Sequence, residues 1–125
     1  MKRLFGPKGF TLLELLVAIG ILGILVALAI PQYNAYRRKT FIATVKSDLK
    51  NASIVQEAYY AEFEVYTAAL PTLLAHGFRQ SNGVSLTITS DGTTYSLAAT
   101  HANCGADTWT YNESGNIVDP PSPCQ

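Results

Sequence analysis

An unbroken apolar stretch near the beginning of the chain is the strongest feature of its hydrophobic pattern. Residues 10–31 read FTLLELLVAIGILGILVALAIP and contain a single charged side chain, Glu14. At a rise of 1.5 Å per residue these 22 residues would form a helix of about 33 Å, which matches the ~30 Å hydrocarbon core of a bilayer. The pattern therefore predicts a membrane-spanning helix.

The pattern then changes to a single apolar stripe on a more polar helix. Apolar side chains recur every three or four residues, close to the helical period, at Phe41, Val45, Leu49, Ala52, Val55, Tyr59 and Phe63. The polar face carries Lys46, Lys50, Gln56 and Glu57. We expect one continuous helix, with an apolar part over residues 10–36 and an amphipathic part over residues 37–63.

The predicted helix would be about 80 Å long, and a chain of 125 residues cannot enclose that length in one core. Half of it is therefore expected to be buried in a membrane or among other copies of the chain. Because a proline removes a backbone donor and clashes with the preceding turn, we expect a bend or melted turn between Gly23 and Pro31. Membrane helices also tolerate such residues, Gly20 included, so an ordinary kink or close helix packing stays open.

The remainder of the chain predicts a loop and a small sheet. Residues 64–83 form an αβ-loop with a short helix from Pro71 to His76, since Pro71 suits a first helical position and Gly77 suits a helix end. Residues 84–125 predict a four-stranded antiparallel meander, with strands at Val84–Ser90, Thr93–Thr100, Thr108–Asn112 and Asn116–Asp119.

Turn residues join the predicted strands. Asp91-Gly92 indicates a two-residue hairpin turn, and Glu113-Ser114-Gly115 indicates a second hairpin. One face of the sheet should cover the apolar stripe of the helix with Leu86, Ile88, Tyr95, Leu97, Trp109 and Tyr111. The predicted fold class is α+β, a long N-terminal helix packed on a small antiparallel sheet.

The two cysteines decide which side of the membrane the sheet occupies. Three cations precede the apolar run and three follow it, namely Lys2, Arg3, Lys8, Arg37, Arg38 and Lys39, so charge alone gives no orientation. Cys104 and Cys124 predict one disulfide in an oxidising compartment, which would close a 19-residue loop and stabilise the domain by about 3 kcal/mol. We therefore expect residues 1–9 inside and the residues after Pro31 outside. A secretory signal peptide ending at Ala27-Leu28-Ala29, or a simple uncleaved anchor, are the alternatives.

Residues 6–16 read GPKGFTLLELL, and from Lys8 to about Tyr36 the chain resembles the type IV prepilins, specifically major pilins of the type IVa-like class. The resemblance implies that a prepilin peptidase cuts between Gly9 and Phe10, removes residues 1–9 as a leader and N-methylates Phe10. It also implies an inner-membrane precursor, an extracellular filament built with a platform protein and ATPases, unwinding near Gly20, Gly23 and Pro31 on packing, and an exposed D-region between Cys104 and Cys124.

Glu14 needs a compensating partner. A carboxylate near the end of an apolar helix costs about 2.5–3.5 kcal/mol on insertion scales. We expect Glu14 of one subunit to neutralise the new amine of Phe10 in its neighbour, and so to set the axial register of the stack. The alternative is that Glu14 reaches the membrane interface and has no specific role.

Other chemistry is weakly indicated. His101, Cys104 and Asp107 could suggest a metal or thiol site, but a second cysteine favours the disulfide. There is no phosphate-cradling glycine motif, dinucleotide fingerprint or serine elbow, so we expect no catalytic residue, metal or cofactor. The neutral net charge and pI of about 6.7 disfavour a duplex nucleic-acid binder. The helix aromatics favour packing over electron transport.

These patterns predict a structural protein, a major pilin that assembles through its N-terminal helix into a type IV pilus, or fimbrium. Adhesion, motility and DNA uptake are roles that the resemblance implies without choosing among them. Two alternatives remain open. One is a type II secretion pseudopilin, which would share the leader and the helix, and the other is a membrane-anchored periplasmic binding domain that stays monomeric.

Overall fold

The structure, a computed structural model, describes residues 9–124. Its elements follow in the order α1 (Leu12–Phe63), α2 (Leu70–Ala75), β1 (Val84–Ser90), β2 (Tyr95–His101), β3 (Thr108–Asn112) and β4 (Ile117–Val118). The described residues divide into two compact units, one up to Tyr36 and one from Arg37 onward. The predicted leader lies outside the described residues except for Gly9.

In the first unit, α1 exposes its apolar side chains instead of burying them. The large apolar side chains from Phe10 to Ile30 are 51–88% exposed. Among the described residues, α1 is the helix that is long and apolar enough to cross a membrane, as the sequence predicts. Its helical assignment continues through Gly23 and Pro31 in this single chain. The melted turn predicted between Gly23 and Pro31 is therefore not present in this single chain. A bend there, and the unwinding on packing that the resemblance implies, stay predictions.

The second unit contains the four-stranded antiparallel sheet, with neighbours in the order β1-β2-β3-β4. This is the predicted meander. The register places Leu86 opposite Ala99, and Leu97 opposite Tyr111. Alternate residues of β2 from Tyr95 to His101 are buried, so one face of the strand supplies the core while the other carries more exposed side chains.

The predicted bounds of two strands, β2 and β4, were wrong at both ends. The first hairpin closes with the pair Ser90 and Tyr95, so its loop has the four residues 91–94 instead of the two predicted. The carboxylate of Asp91 accepts hydrogen bonds from the backbone N–H groups of Thr93 and Thr94 at 2.9 and 2.7 Å, which keeps those residues out of the ladder. The last strand is limited to Ile117–Val118, since the polyproline tail beyond it cannot donate ladder hydrogen bonds.

The core lies within the second unit. Its buried apolar residues are Val45, Leu49, Ala52, Leu73, Phe78, Val84, Leu86, Tyr95, Leu97, Ala99, Cys104, Trp109 and Cys124. Four of the six predicted sheet residues are buried, while Ile88 and Tyr111 are partly buried against the core. The predicted apolar stripe of the helix is not buried at its C-terminal end, where Phe63 is 48% exposed.

Gln56 corrects the predicted polar face of the helix. The sequence pattern placed it with the exposed side chains, yet it is fully buried. Its amide donates to the carbonyl oxygen of Thr67 at 2.6 Å and accepts from the backbone N–H of Thr67 at 3.2 Å. Asp48 is buried as well, and its carboxylate accepts from the backbone N–H and hydroxyl of Ser81. Both polar side chains therefore attach the αβ-loop to α1.

Candidate functional site

The predicted processing junction lies just before α1. Gly9 and Phe10 are outside the helix and exposed, with Phe10 88% exposed. A peptidase must draw an extended segment of backbone into its active site, and a helical segment would have to unwind first. The position of these two residues therefore fits cleavage between them.

Glu14 and Thr11 form a capping box at the start of α1. The backbone N–H and the hydroxyl of Thr11 both donate to Oε2 of Glu14 at 3.1 Å, and the backbone N–H of Glu14 donates to Oγ1 of Thr11 at 3.1 Å. A carboxylate in the first turn also interacts favourably with the helix dipole. The sequence prediction named Glu14 but missed Thr11, although Thr-x-x-Glu is the usual signal for this cap.

The capping box fixes where the Glu14 carboxylate points. It lies beside the backbone of Thr11, which directly follows Phe10. Phe10 and Glu14 lie at the same end of α1, whereas the predicted register pair joins Glu14 of one subunit to the amine of Phe10 in another. That pairing stays a prediction.

Gly20 and Gly23 have no reason within the chain to be glycine. A Cβ built at either position would meet no neighbouring side chain or distant backbone within 4 Å among the described residues. Glycine inside a helix is about 1 kcal/mol less favourable than alanine. Packing within the described part of the chain therefore does not require glycine at either position.

The disulfide closes the C-terminal segment. Cys104 and Cys124 are bonded and almost fully buried, which confirms the predicted pair. The backbone N–H of Cys124 also donates to the carboxylate of Asp107 at 2.6 Å. Because this carboxylate lies inside the bridged loop, it supports the loop's fold.

His101 is a buried side chain with structural contacts. Its ring stacks on Phe41 with centroids 4.5 Å apart, and its Nδ1 accepts from the backbone N–H of Asn103 at 3.1 Å. Accepting at Nδ1 leaves the ring proton on Nε2 of the neutral imidazole. Within residues 9–124 no three His, Cys, Asp or Glu side chains form a group that could hold a metal ion, and both cysteines are consumed by the bridge.

A tyrosine and glutamate cluster holds the end of α1 to the sheet. The hydroxyls of Tyr66 and Tyr95 both donate to the carboxylate of Glu57, each at 3.1 Å at the nearest oxygen. Burial first, and then the hydrogen bond to Glu57, raises the pKa of both phenols above the usual value. The sequence placed Glu57 on a solvated face and gave no signal for this cluster.

These features define a class of protein. An exposed apolar helix follows the exposed residues Gly9 and Phe10. A small, disulfide-closed sheet unit has a core of its own. A helix with this much exposed apolar surface is typical of a subunit that a membrane or other molecules cover.

Comparison with known proteins identifies the family. The model of the prokaryotic N-terminal methylation motif matches residues 6–30. The chain is 32% identical to a fimbrial protein of Pseudomonas aeruginosa over 110 residues, covering 79% of this chain and 71% of the relative. It is 32% identical to the type IV wide pilus major component PilA4 of Thermus thermophilus over 104 residues, covering 82% and 78%. The type IV major fimbrial protein FimA of Dichelobacter nodosus is 49% identical over 48 residues, covering 38% of this chain and 30% of the relative. The chain belongs to the type IV pilin family.

Membership confirms the predicted resemblance and the structural role. The chain is a type IV pilin subunit, and neither the secretion pseudopilin nor the monomeric binding domain is favoured by these relatives. The apolar helix and the family together indicate a membrane-anchored precursor and then a pilus on the cell surface.

Proposed function

We propose that this chain is a major pilin, cut between Gly9 and Phe10, N-methylated at Phe10 and assembled through its N-terminal helix into a filament. The observation that carries the proposal is the exposed apolar surface of α1 from Phe10 to Ile30. In water such a surface drives association, at about 25 cal/mol for each Å² of apolar area buried. After the subunit leaves the bilayer, the matching helices of other copies are the natural cover.

The first turn of α1 carries the carboxylate that sets the axial register between neighbouring subunits. Cleavage creates a positive amine on Phe10, and the oriented carboxylate of Glu14 offers it an acceptor in a neighbouring subunit. A buried amine or carboxylate without its partner is strongly destabilising. Only staggers that bring the two groups together are therefore stable.

The middle of the apolar half accommodates packing. Gly20, Gly23 and Pro31 weaken the local helix, so this segment melts or kinks when the subunits pack. Extended chain is longer per residue than helix, at 3.3 Å against 1.5 Å. The melted segment would let the fibre stretch and would ease extraction of the subunit from the bilayer.

The precursor sits with residues 1–9 in the cytoplasm and the sheet unit in the periplasm, because the disulfide requires an oxidising compartment. Its partners are a prepilin peptidase that also methylates, an assembly platform with ATPases, and other copies of itself. The chain carries no catalytic site of its own in this proposal. The finished pilus serves adhesion, motility or DNA uptake.

Two measurements on native material test this function. Mass spectrometry should find a chain that lacks residues 1–9 and carries one methyl group on Phe10. Electron microscopy of material sheared from the cells should show long filaments containing the chain. An intact Met1 on a solitary, unassembled protein would contradict the proposal.

A further inference from the structure

Charge is segregated along the part of α1 that belongs to the second unit. All its cations precede residue 51, namely Arg37, Arg38, Lys39, Lys46 and Lys50. The residues that follow, to the end of the helix and one beyond, carry the carboxylates Glu57, Glu62 and Glu64. The remaining acid of this part of the helix, Asp48, is buried and bonded to Ser81. The two ends of this helical segment therefore have opposite charge.

Two of the three carboxylates at the acidic end, Glu62 and Glu64, have no stabilising partner among residues 9–124. A helix C-terminus carries partial negative charge, which favours cations, yet the last turn of α1 contains no basic residue. Glu64 also adopts a left-handed backbone conformation with φ of 56°, a region that favours glycine. While Glu57 is bonded to Tyr66 and Tyr95, the carboxylates of Glu62 and Glu64 have no hydrogen bond or ion pair within residues 9–124.

Aromatic rings accompany these free carboxylates. Tyr60 is 39% exposed and stacks on Tyr66 with centroids 4.4 Å apart, and Phe63 is 48% exposed beside Tyr59 at 4.5 Å. The end of α1 therefore carries both unpaired carboxylates and partly exposed aromatic side chains. Carboxylates and aromatic rings each attract a guanidinium or an ammonium group, through ion pairing and cation–π contact respectively. Glu62, Glu64, Tyr60 and Phe63 are called the acidic aromatic end below.

The matching cations stand at the other end of the same helical segment. Arg38 and Lys39 are exposed, and within the described part of the chain neither takes part in an ion pair. The neighbouring Arg37 lies over the ring of Phe41, with its guanidinium carbon 5.6 Å from the centroid. That contact shows within one chain the kind of cation and ring pairing that the acidic aromatic end offers to another.

We propose that the acidic aromatic end of one subunit binds Arg38 and Lys39 of a second copy of the chain. The two groups cannot meet within one copy, because 24 residues of helix separate Arg38 from Glu62 by about 36 Å. Joining them between parallel copies fixes an axial offset of about 36 Å, and the contact repeats along a filament because it joins unlike ends. The inference rests on the assembly proposed above. The contact joins a different pair of subunits from the Glu14 contact, because Glu14 and Phe10 are only four residues apart, about 6 Å along a helix.

Zero-length crosslinking of intact wild-type filaments tests the contact directly. A carbodiimide couples an amine to a carboxylate already in contact with it. We expect peptide mass spectrometry to find Lys39 joined to Glu62 or Glu64. Lys46 and Asp119, whose charged atoms lie 2.7 Å apart within one chain, supply the internal positive control. Recovery of the Lys46 product without any Lys39 product to the acidic aromatic end would overturn the proposal.

Charge exchange in the full-length chain, expressed in its own host, gives a second test. We expect Arg38→Glu with Lys39→Glu, or Glu62→Lys with Glu64→Lys, to lower the yield of sheared filaments about tenfold, and the four changes combined to restore it to within about threefold. Arg79→Glu, an exposed charge change outside both ends, should leave the yield unchanged.

The outcomes separate this contact from its rivals. If the Arg38 and Lys39 variant lowers the filament yield and the combined variant does not restore it, those cations bind anionic lipid instead. That result would overturn the proposal. Normal yield from both paired variants would overturn it as well. Filaments of the wild type and of Arg79→Glu establish assembly independently. Their absence would instead remove the proposed function.

Discussion

Thr11 and Glu14 exchange three hydrogen bonds in the first turn of α1, so the carboxylate is oriented before any neighbouring subunit arrives. The same side chain thus has a role in the single chain and a different one in the filament. In the single chain it accepts from the backbone N–H of Thr11, one of the donors that a helix start leaves open. In the proposed filament it meets an amine, and we expect the loss of that second role to be much the more damaging.

Replacing Glu14 with alanine should separate these roles. We expect the Glu14→Ala chain to be cut and methylated but to yield at least tenfold fewer filaments. The reason is that the amine of Phe10 would be buried without its charged partner, which is strongly destabilising. Thr11→Ala loses only the cap, about 1 kcal/mol, so its filament yield should stay within a few-fold of wild type. Immunoblots of sheared and cell-bound fractions measure both. Normal filament numbers from Glu14→Ala would contradict the register proposal.

Asp91 provides a residue whose contribution depends on pH. Hydrogen bonds from the backbone N–H of Thr94, then from the hydroxyl and N–H of Thr93, lower its pKa from 3.8 to about 2. A depressed pKa means that the carboxylate stabilises the fold above pH 4 and that this contribution is lost as the pH falls toward 2. We therefore expect Asp91→Ala to lower the Tm of the full chain in detergent at pH 7, with a difference from wild type that shrinks toward pH 2. A difference independent of pH would contradict this account.

At the scale of elements, the sequence predicted each helix and strand, because their signals are local. Hydrophobic periods gave α1, and Gly, Pro and Asp marked the ends of α2 and the two hairpins. What it missed depends on contacts between elements. Gln56 is buried because its side-chain amide donates to the carbonyl oxygen of Thr67, eleven residues away, and accepts from the backbone N–H of the same residue. Helix periodicity contains no information about that loop. The capping box at Thr11 is the exception, because its Thr-x-x-Glu signal is local.

The Gln56 clamp predicts a large effect from one side chain. Gln56→Ala should leave the N–H and carbonyl of Thr67 without partners in a partly buried position and destabilise the second unit by about 1–3 kcal/mol. Lys50→Ala, on the exposed face of the same helix, should change stability by no more than about 0.5 kcal/mol. Urea unfolding of the full chain in detergent, followed by Trp109 fluorescence, compares the two. Equal effects would show that Gln56 is not a clamp.

At the scale of the whole molecule, the second unit has a core of its own, whereas the first unit exposes its apolar side chains. The disulfide contributes to the second unit by limiting the freedom of the unfolded C-terminal segment. The ion pair of Lys46 and Asp119 also joins α1 to that segment, but its partners are 37% and 46% exposed, so it adds about 0–1 kcal/mol.

Removing the disulfide should therefore loosen one end of the molecule. We expect the double change Cys104→Ala and Cys124→Ala to cost about 3 kcal/mol and to make residues 105–123 sensitive to protease. The β1–β2 hairpin should be cut more slowly. Limited proteolysis with mass spectrometry measures the sites, and Lys46→Ala serves as the control with little change. A C-terminal segment as resistant as in wild type would contradict the prediction.

The uncovered helix has a consequence for genetics. In the proposed filament each copy depends on its neighbours to shield its apolar side chains, so we expect a faulty subunit to damage the intact ones around it. A cell that makes a defective variant beside the normal chain should then show the variant's phenotype even when the variant is the minority. Dominance of this kind, which a self-sufficient protein would not show, follows from a helix whose proper environment is other molecules.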